Sequence, residues 1–130
     1  MARPLTALVL TPSLGYDFFT DVLTGVAREI VAADGRLVVV ETLQEFAPRD
    51  QAGEQGDFDL PVAWSQVDGV ISLTTAVGEE YLRKLHEANK PVVLLSSTQM
   101  ENFHAPVARP DNYLGGVAAT EHLLAHGHTS

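Results

Sequence analysis

Val107-Ala-Arg-Pro-Asp-Asn-Tyr-Leu-Gly-Gly-Val-Ala-Ala-Thr-Glu-His-Leu-Leu-Ala-His-Gly-His128 reads as the end of a strand, a turn and a helix. Pro110 breaks the extended run, and Asp111 or Asn112 can cap the helix that follows. The apolar residues Val117, Ala118, Leu123 and Leu124 place that helix over residues 115–125, and Gly127 is a natural stop. A further strand is expected after Gly127. Residues 107–128 are therefore expected to pass from one half of a fold into the next, with the second half's sheet not included.

Upstream lie four short apolar runs: Leu5-Thr-Ala-Leu-Val-Leu10, Arg36-Leu-Val-Val-Val40, Val67-Asp-Gly-Val-Ile-Ser-Leu73 and Pro91-Val-Val-Leu-Leu95. None alternates, and Gly, Pro or Asp bounds each. This pattern suits strands buried on both faces, as in a parallel sheet. Helical patterns separate them. Residues 17–33 carry Phe18, Val22, Val26 and Ile30 at i, i+4 spacing, with Phe19, Leu23 and Ala27 beside them and Gly35 as a C′ residue. Residues 79–88 set Tyr81, Leu82, Leu85 and Ala88 on one side. Residues 42–66 break the series with Pro48, Gly53, Gly56 and Pro61, and read as a long irregular, acidic connection with a helical turn at 60–65. Trp64 and Phe58 near Val62 read as core or interface. Alternating strand and helix predicts an α/β fold, an open parallel sheet with flanking helices. Ligands on such sheets gather at the carboxyl ends of the strands.

Composition narrows the function. The chain has 130 residues, 45% apolar and 19% charged, with a formal net charge of −9. Eight scattered basic residues do not make a nucleic-acid surface. Without Cys there is no disulfide, thiolate metal site or Cys nucleophile. No apolar run reaches the roughly 20 residues of a membrane span, and the N-terminus does not read as a signal peptide. A cytoplasmic location and no membrane partner are expected. No G-x-S-x-G elbow or Walker sequence is present, and Thr11-Pro12-Ser13 lacks the paired acids of a phospho-receiver. No catalytic residue, and no cofactor, is expected.

The ordered segments resemble the effector-binding domain of LacI-type transcriptional regulators, a fold shared with periplasmic sugar-binding proteins. Leu8-Val-Leu-Thr-Pro-Ser-Leu-Gly-Tyr-Asp-Phe-Phe19 with Leu23-Thr-Gly-Val-Ala27 is similar to that family's first strand and helix. Val67-Asp-Gly-Val-Ile71 and Asn89-Lys-Pro-Val-Val-Leu-Leu95 are similar to two later strands. Asp111-Asn-Tyr-Leu-Gly-Gly-Val-Ala-Ala-Thr-Glu-His-Leu-Leu-Ala-His-Gly-His128 is similar to its crossover helix. The resemblance implies a two-lobed fold that closes over a small polar effector such as a carbohydrate, with the first lobe over residues 1–110 and the crossover and first helix of an otherwise absent second lobe over 111–130. It implies a homodimer and DNA contact only through an N-terminal domain not included here. The same sensor fused to a signalling enzyme, such as a diguanylate cyclase or kinase, is the alternative. A secreted solute-binding protein is a further, disfavoured reading. Where the family often has Asp-Arg after its fourth strand, this chain has Ser96 and Ser97.

The candidate ligand-binding residues are Tyr16, Asp17, Phe18, Thr74, Thr75, Ser96, Ser97 and Asp111. Tyr16 and Asp17 pair a ring for C–H faces with a carboxylate for hydroxyls. A purely structural role is the competing reading, with Asp17 as a helix cap and Phe18 as core. Asp111 and Asn112 are also hinge and cap candidates. Gly115 and Gly116 are read as points of close helix approach. His122, His126 and His128 have no evident carboxylate companion, and no metal is expected.

Overall fold

The structure, a computed structural model, describes residues 3–42, 62–97 and 100–128. In chain order the elements are β1 (Thr6–Thr11), α1 (Asp17–Ala32), β2 (Arg36–Glu41), a 3-10 turn (Trp64–Gln66), β3 (Gly69–Leu73), α2 (Glu79–Glu87), β4 (Val92–Leu95), β5 (Val107–Ala108) and α3 (Asn112–Ala125). The strands form one parallel sheet in the order β2-β1-β3-β4-β5. This is the α/β architecture that the alternating pattern predicts.

β1 is central, and all six of its residues are buried. Leu8 and Leu10 pack with Val70, Val92 and Leu94 beneath Leu82 and Leu85 of α2. Val9 and Leu73 pack with Phe19 of α1, bordered by Val22, Leu23 and Val26. Each fully buried Leu contributes about 1.5–3 kcal/mol of apolar transfer. The buried ring of α1 is thus Phe19, while Phe18 stands half-exposed. The expectation of burial on both faces holds for β1 and fails for β2 and for β4, where Val93 is exposed. β2 is an edge strand with β1 as its neighbour, so Arg36 and Val38 stay exposed.

The chain steps from β1 to β2 in one direction, then through β3, β4 and β5 in the other. Right-handed crossovers therefore put α1 and α2 on opposite layers. The reversal falls between β1 and β3, which is where an open α/β sheet offers its crevice.

Left-handed residues close two helices. Asp34 (φ 55°) ends α1, and Gly35 N–H then reaches the Ile30 carbonyl at 2.8 Å. The left-handed position is Asp34 rather than Gly35. Gly35 is needed for space, because a Cβ there would lie 3.0 Å from the Ile30 carbonyl oxygen and 3.2 Å from that of Leu5. Asn89 (φ 58°) ends α2 in the same way. Gly127 (φ 83°) ends α3 where the sequence expects it.

α3 begins at Asn112, earlier than the apolar pattern suggests. Asp111 is its cap and accepts the Leu114 N–H at 2.9 Å. No α3 residue is buried, and Tyr113, Leu114, Leu123 and Leu124 are exposed. Gly115 and Gly116 face open space. Residues 43–61, including Phe58, lie outside the described residues. Of the turn expected at 60–65, the described residues 62–63 are not helical, and the 3-10 turn lies at Trp64–Gln66. Val62 and Trp64 border the α2-side core, with the Trp64 ring 6.4 Å from that of Tyr81. Phe103, between β4 and β5, is a core residue without periodicity to announce it. Its ring meets His86 edge-on.

At the amino edge, Asp68 holds the sheet's entry. It accepts the Thr6 N–H at 2.7 Å and both Arg3 guanidinium nitrogens at 2.6 and 3.0 Å. The Thr6 N–H is the chief cause that holds its carboxyl below the usual value, with Arg3 adding to it against a partial desolvation.

Candidate functional site

All strands run in parallel, so the segments after β1, β3, β4 and β5 emerge along one rim. Tyr16, Asp17 and Phe18 follow β1. Thr74 and Thr75 follow β3, Ser96 and Ser97 follow β4, and Asp111 follows β5. The sequence-predicted site residues thus share the carboxyl edge. Tyr16–Phe18 and Thr74–Thr75 flank the switch between β1 and β3.

The first segment is built by short-range bonds. Thr11 hydroxyl donates to the Ser13 carbonyl at 2.9 Å, and Ser13 hydroxyl accepts the Gly15 N–H at 3.0 Å. Glu41, at the end of β2, accepts the Leu14 N–H at 2.8 Å. Sequence reasoning had no signal for this link, because it joins residues of two neighbouring strands. The turn delivers Tyr16 to the cap position of α1 in an extended conformation, with no side-chain cap bond. Asp17 is the first helical residue rather than the cap. The first-turn N–H groups of α1 are therefore not spent on a side-chain cap at Tyr16. Tyr16 and Phe18 are 51% and 50% exposed and splay around the buried Phe19, with edge-to-face contacts at 6.5 and 5.2 Å.

The next two strand ends share a device. Thr74 (φ 46°) and Ser96 (φ 52°) both take left-handed backbone. For a β-branched residue such as Thr74 this is a strained state that the surroundings must impose. They do. Thr74 N–H donates to the Leu95 carbonyl at 2.9 Å, and Ser96 N–H to the Ala108 carbonyl at 2.8 Å. Each strand end is thus held by the next strand. The buried Ser97 hydroxyl donates to the Thr74 carbonyl at 3.3 Å and ties the two turns together. Thr75 is exposed and Thr74 and Ser96 are partly so.

Asp111 both faces this rim and caps α3, and Asn112 opens the helix. At the far end of α3, His122 and His126 stack with ring centroids 4.3 Å apart. His126 Nδ1 lies 2.8 Å from the His122 carbonyl. Among the described residues, no three His, Asp or Glu side chains gather as a metal site.

An apolar groove of about 570 Å³ lies between α1 and the sheet, lined by Val22, Val26, Ile30, Ile71, Leu95 and Ala108. Its lining suits a packed element rather than a polar ligand, whose hydroxyls need partners. It adjoins the rim only at Ser96, Arg109 and Pro110.

The sheet order and the shared rim define an open parallel α/β fold with its strand ends along one edge. The chain belongs to the family of periplasmic binding proteins and sugar-binding domains of LacI-family proteins, whose model matches residues 5–130. That family consists of binding domains, not enzymes. Among solved structures, the chain is similar to a LacI-family transcriptional regulator from Enterococcus faecium, determined with bound ribose. The identity is 24% and the TM-score 0.65, over 95% of this chain and 42% of that one. It is also similar to the transcription regulator CcpA of Lactococcus lactis, with 20% identity and a TM-score of 0.68 over 96% of this chain and 44% of that one. A third is the transcription regulator GntR from Chromobacterium violaceum, with 25% identity and a TM-score of 0.61, over 94% and 42%. The chain spans less than half the length of these structures. A comparison with curated proteins found no match. Among the described residues, no helix is long and apolar enough to cross a membrane.

Proposed function

We propose that this chain is the first lobe of an effector sensor in a LacI-family transcriptional regulator, and that its effector is a small polyhydroxylated metabolite such as a sugar. The observation that supports the reading is the rim itself, where ring, carboxylate and hydroxyl residues follow the strands along the carboxyl edge of a parallel sheet, within a family of sugar-binding domains. Tyr16 and Phe18 offer faces to C–H groups, and Asp17 accepts hydroxyls. Thr74, Thr75 and Ser96 both donate and accept, while Ser97 fixes the turn that presents Thr74. Asp111 and Asn112 form the hinge into a second lobe that starts with α3.

Function on this reading is binding without chemistry. Effector contacts to two lobes favour the closed state, and the difference in affinity between open and closed biases a DNA-binding partner domain. A homodimer in the cytoplasm fits this role. One lobe supplies half of the contacts, so this chain alone binds sugars weakly. Amide chemical shifts of the labelled chain, titrated with neutral sugars, test the reading. Shifts confined to residues 14–18, 74–75 and 96–97 at millimolar concentrations are expected. Micromolar binding by this chain alone would contradict the two-lobe mechanism, and shifts elsewhere would contradict the site.

A further inference from the structure

We infer that this rim selects against an anionic group, so that the part of the effector it contacts carries neither phosphate nor carboxylate. The inference rests on the effector-sensing reading above and deepens it. The three described α-helices start at the carboxyl edge, and a helix N-terminus is the usual seat for an anion. Here the protein's own carboxylates stand at each one. Asp17 is in the first turn of α1, Glu79 and Glu80 are in the first turn of α2, and Asp111 caps α3. Glu41, at the end of β2, takes the Leu14 N–H just before α1.

Lys84 lies 3.5 Å from Glu80 on α2, but other positive charge is placed away from this edge. Arg3, Arg36 and Lys90 lie at the amino edge, where Arg3 is paired with Asp68 and Lys90 donates to the Trp64 and Val67 carbonyls at 2.8 and 2.7 Å. Among the described strand ends and helix starts of the carboxyl edge, Arg109 is the one cation. Ser96 and Ser97 add no charge after β4. A phosphate at the start of α1 would meet Asp17, with Glu41 at the adjoining Leu14 turn, without the bidentate Arg that anion recognition favours. A neutral polyol meets the same groups productively. Its hydroxyls donate to Asp17 and accept from the α1 N–H groups that no side chain caps at Tyr16.

The test compares D-ribose with D-ribose 5-phosphate on the labelled chain at low salt, read by amide shifts at residues 14–18, 74–75 and 96. Ribose should bind at least about tenfold more tightly, a difference of about 1.4 kcal/mol. In Asp17→Asn the gap should narrow through a gain in phosphate binding. Equal or tighter binding of the phosphate by the parent chain overturns the inference and leaves the sensor reading standing. A parental preference for ribose that is unchanged in Asp17→Asn overturns the electrostatic cause and the inference with it. If neither compound moves the rim amides, the sensor reading itself fails.

Discussion

α2 and α3 each follow a strand of the same sheet, yet they live in different environments. α2 has nine residues and a sharp division of faces. Leu82 and Leu85 are buried, Lys84 and Glu80 pair at 3.5 Å on the outside, and the C-terminus closes through Asn89. α3 has 14 residues, apolar side chains distributed around its circumference, and no buried residue. A helix that is apolar on several sides is suited to burial among several elements. The difference teaches that forming a helix and joining the core are separate questions. α2 is part of what holds the sheet together, while α3 is held by its cap and its own backbone bonds.

The largest expected effect follows from this contrast. Leu82→Ala opens a cavity under a fully buried side chain and should cost about 2–5 kcal/mol in urea unfolding. Leu124→Ala, on a side chain 59% exposed, should stay within about 0.5 kcal/mol. Comparable losses from the two substitutions would show that α3 is packed in solution and erase the contrast.

The strand ends that lead into the helices give the next effect. Left-handed backbone costs a β-branched residue roughly 1–2 kcal/mol, of which Gly returns part to unfolded-chain entropy. Thr74→Gly should therefore be at least as stable as the parent, by up to about 1 kcal/mol, while its rim amides respond less to sugar. Such a trade between stability and binding is expected where strain serves a site. A clear loss of thermal stability in Thr74→Gly would show that Thr74 is not under strain.

Asp111→Ala removes the α3 cap, worth about 1 kcal/mol to the helix. Because α3 contributes no buried side chain, hydrogen exchange should accelerate in residues 112–118 while the urea midpoint of the sheet holds. A shift of that midpoint would couple α3 to the lobe.

The smallest effect is set by pH and touches the sheet without touching α3. The Asp68 carboxyl is held below its usual value in the folded chain, first by the Thr6 N–H. Its contribution is complete above the usual carboxylate value and is lost as pH falls through the lowered folded one, in the window below about pH 4. Amide exchange at Thr6 should rise there more than exchange within β4. Asp68→Asn should remove most of that pH dependence, and an unchanged acid profile in the variant would exclude Asp68 as its source.

Much of this was legible in the chain. The four apolar runs are observed as strands, since β-branched and Leu-rich runs bounded by turn residues suit a sheet whether or not both faces are covered, and the spacing of Val22, Leu23 and Val26 marks the inner face of α1. The rim residues could be placed because each follows a strand, and strand direction alone brings them to one edge. Less legible were features made by contacts between distant residues. Phe103 has no periodic partner, yet it is core because the segment between β4 and β5 folds back on α2. Glu41 reads as a strand terminus, and its role at Leu14 exists only because β2 lies beside β1.

The sequence by itself determined the α/β class, the family and the rim positions, since these follow from local period and from the order of elements. It also determined the rim's excess of carboxylates, which composition and position supply directly. Tertiary structure decided which strand is the edge, which of Phe18 and Phe19 is core, and that Thr74 and Ser96 are held left-handed by their neighbouring strands. Those outcomes depend on hydrogen bonds and packing across the sheet, and no local pattern in one segment encodes its neighbour.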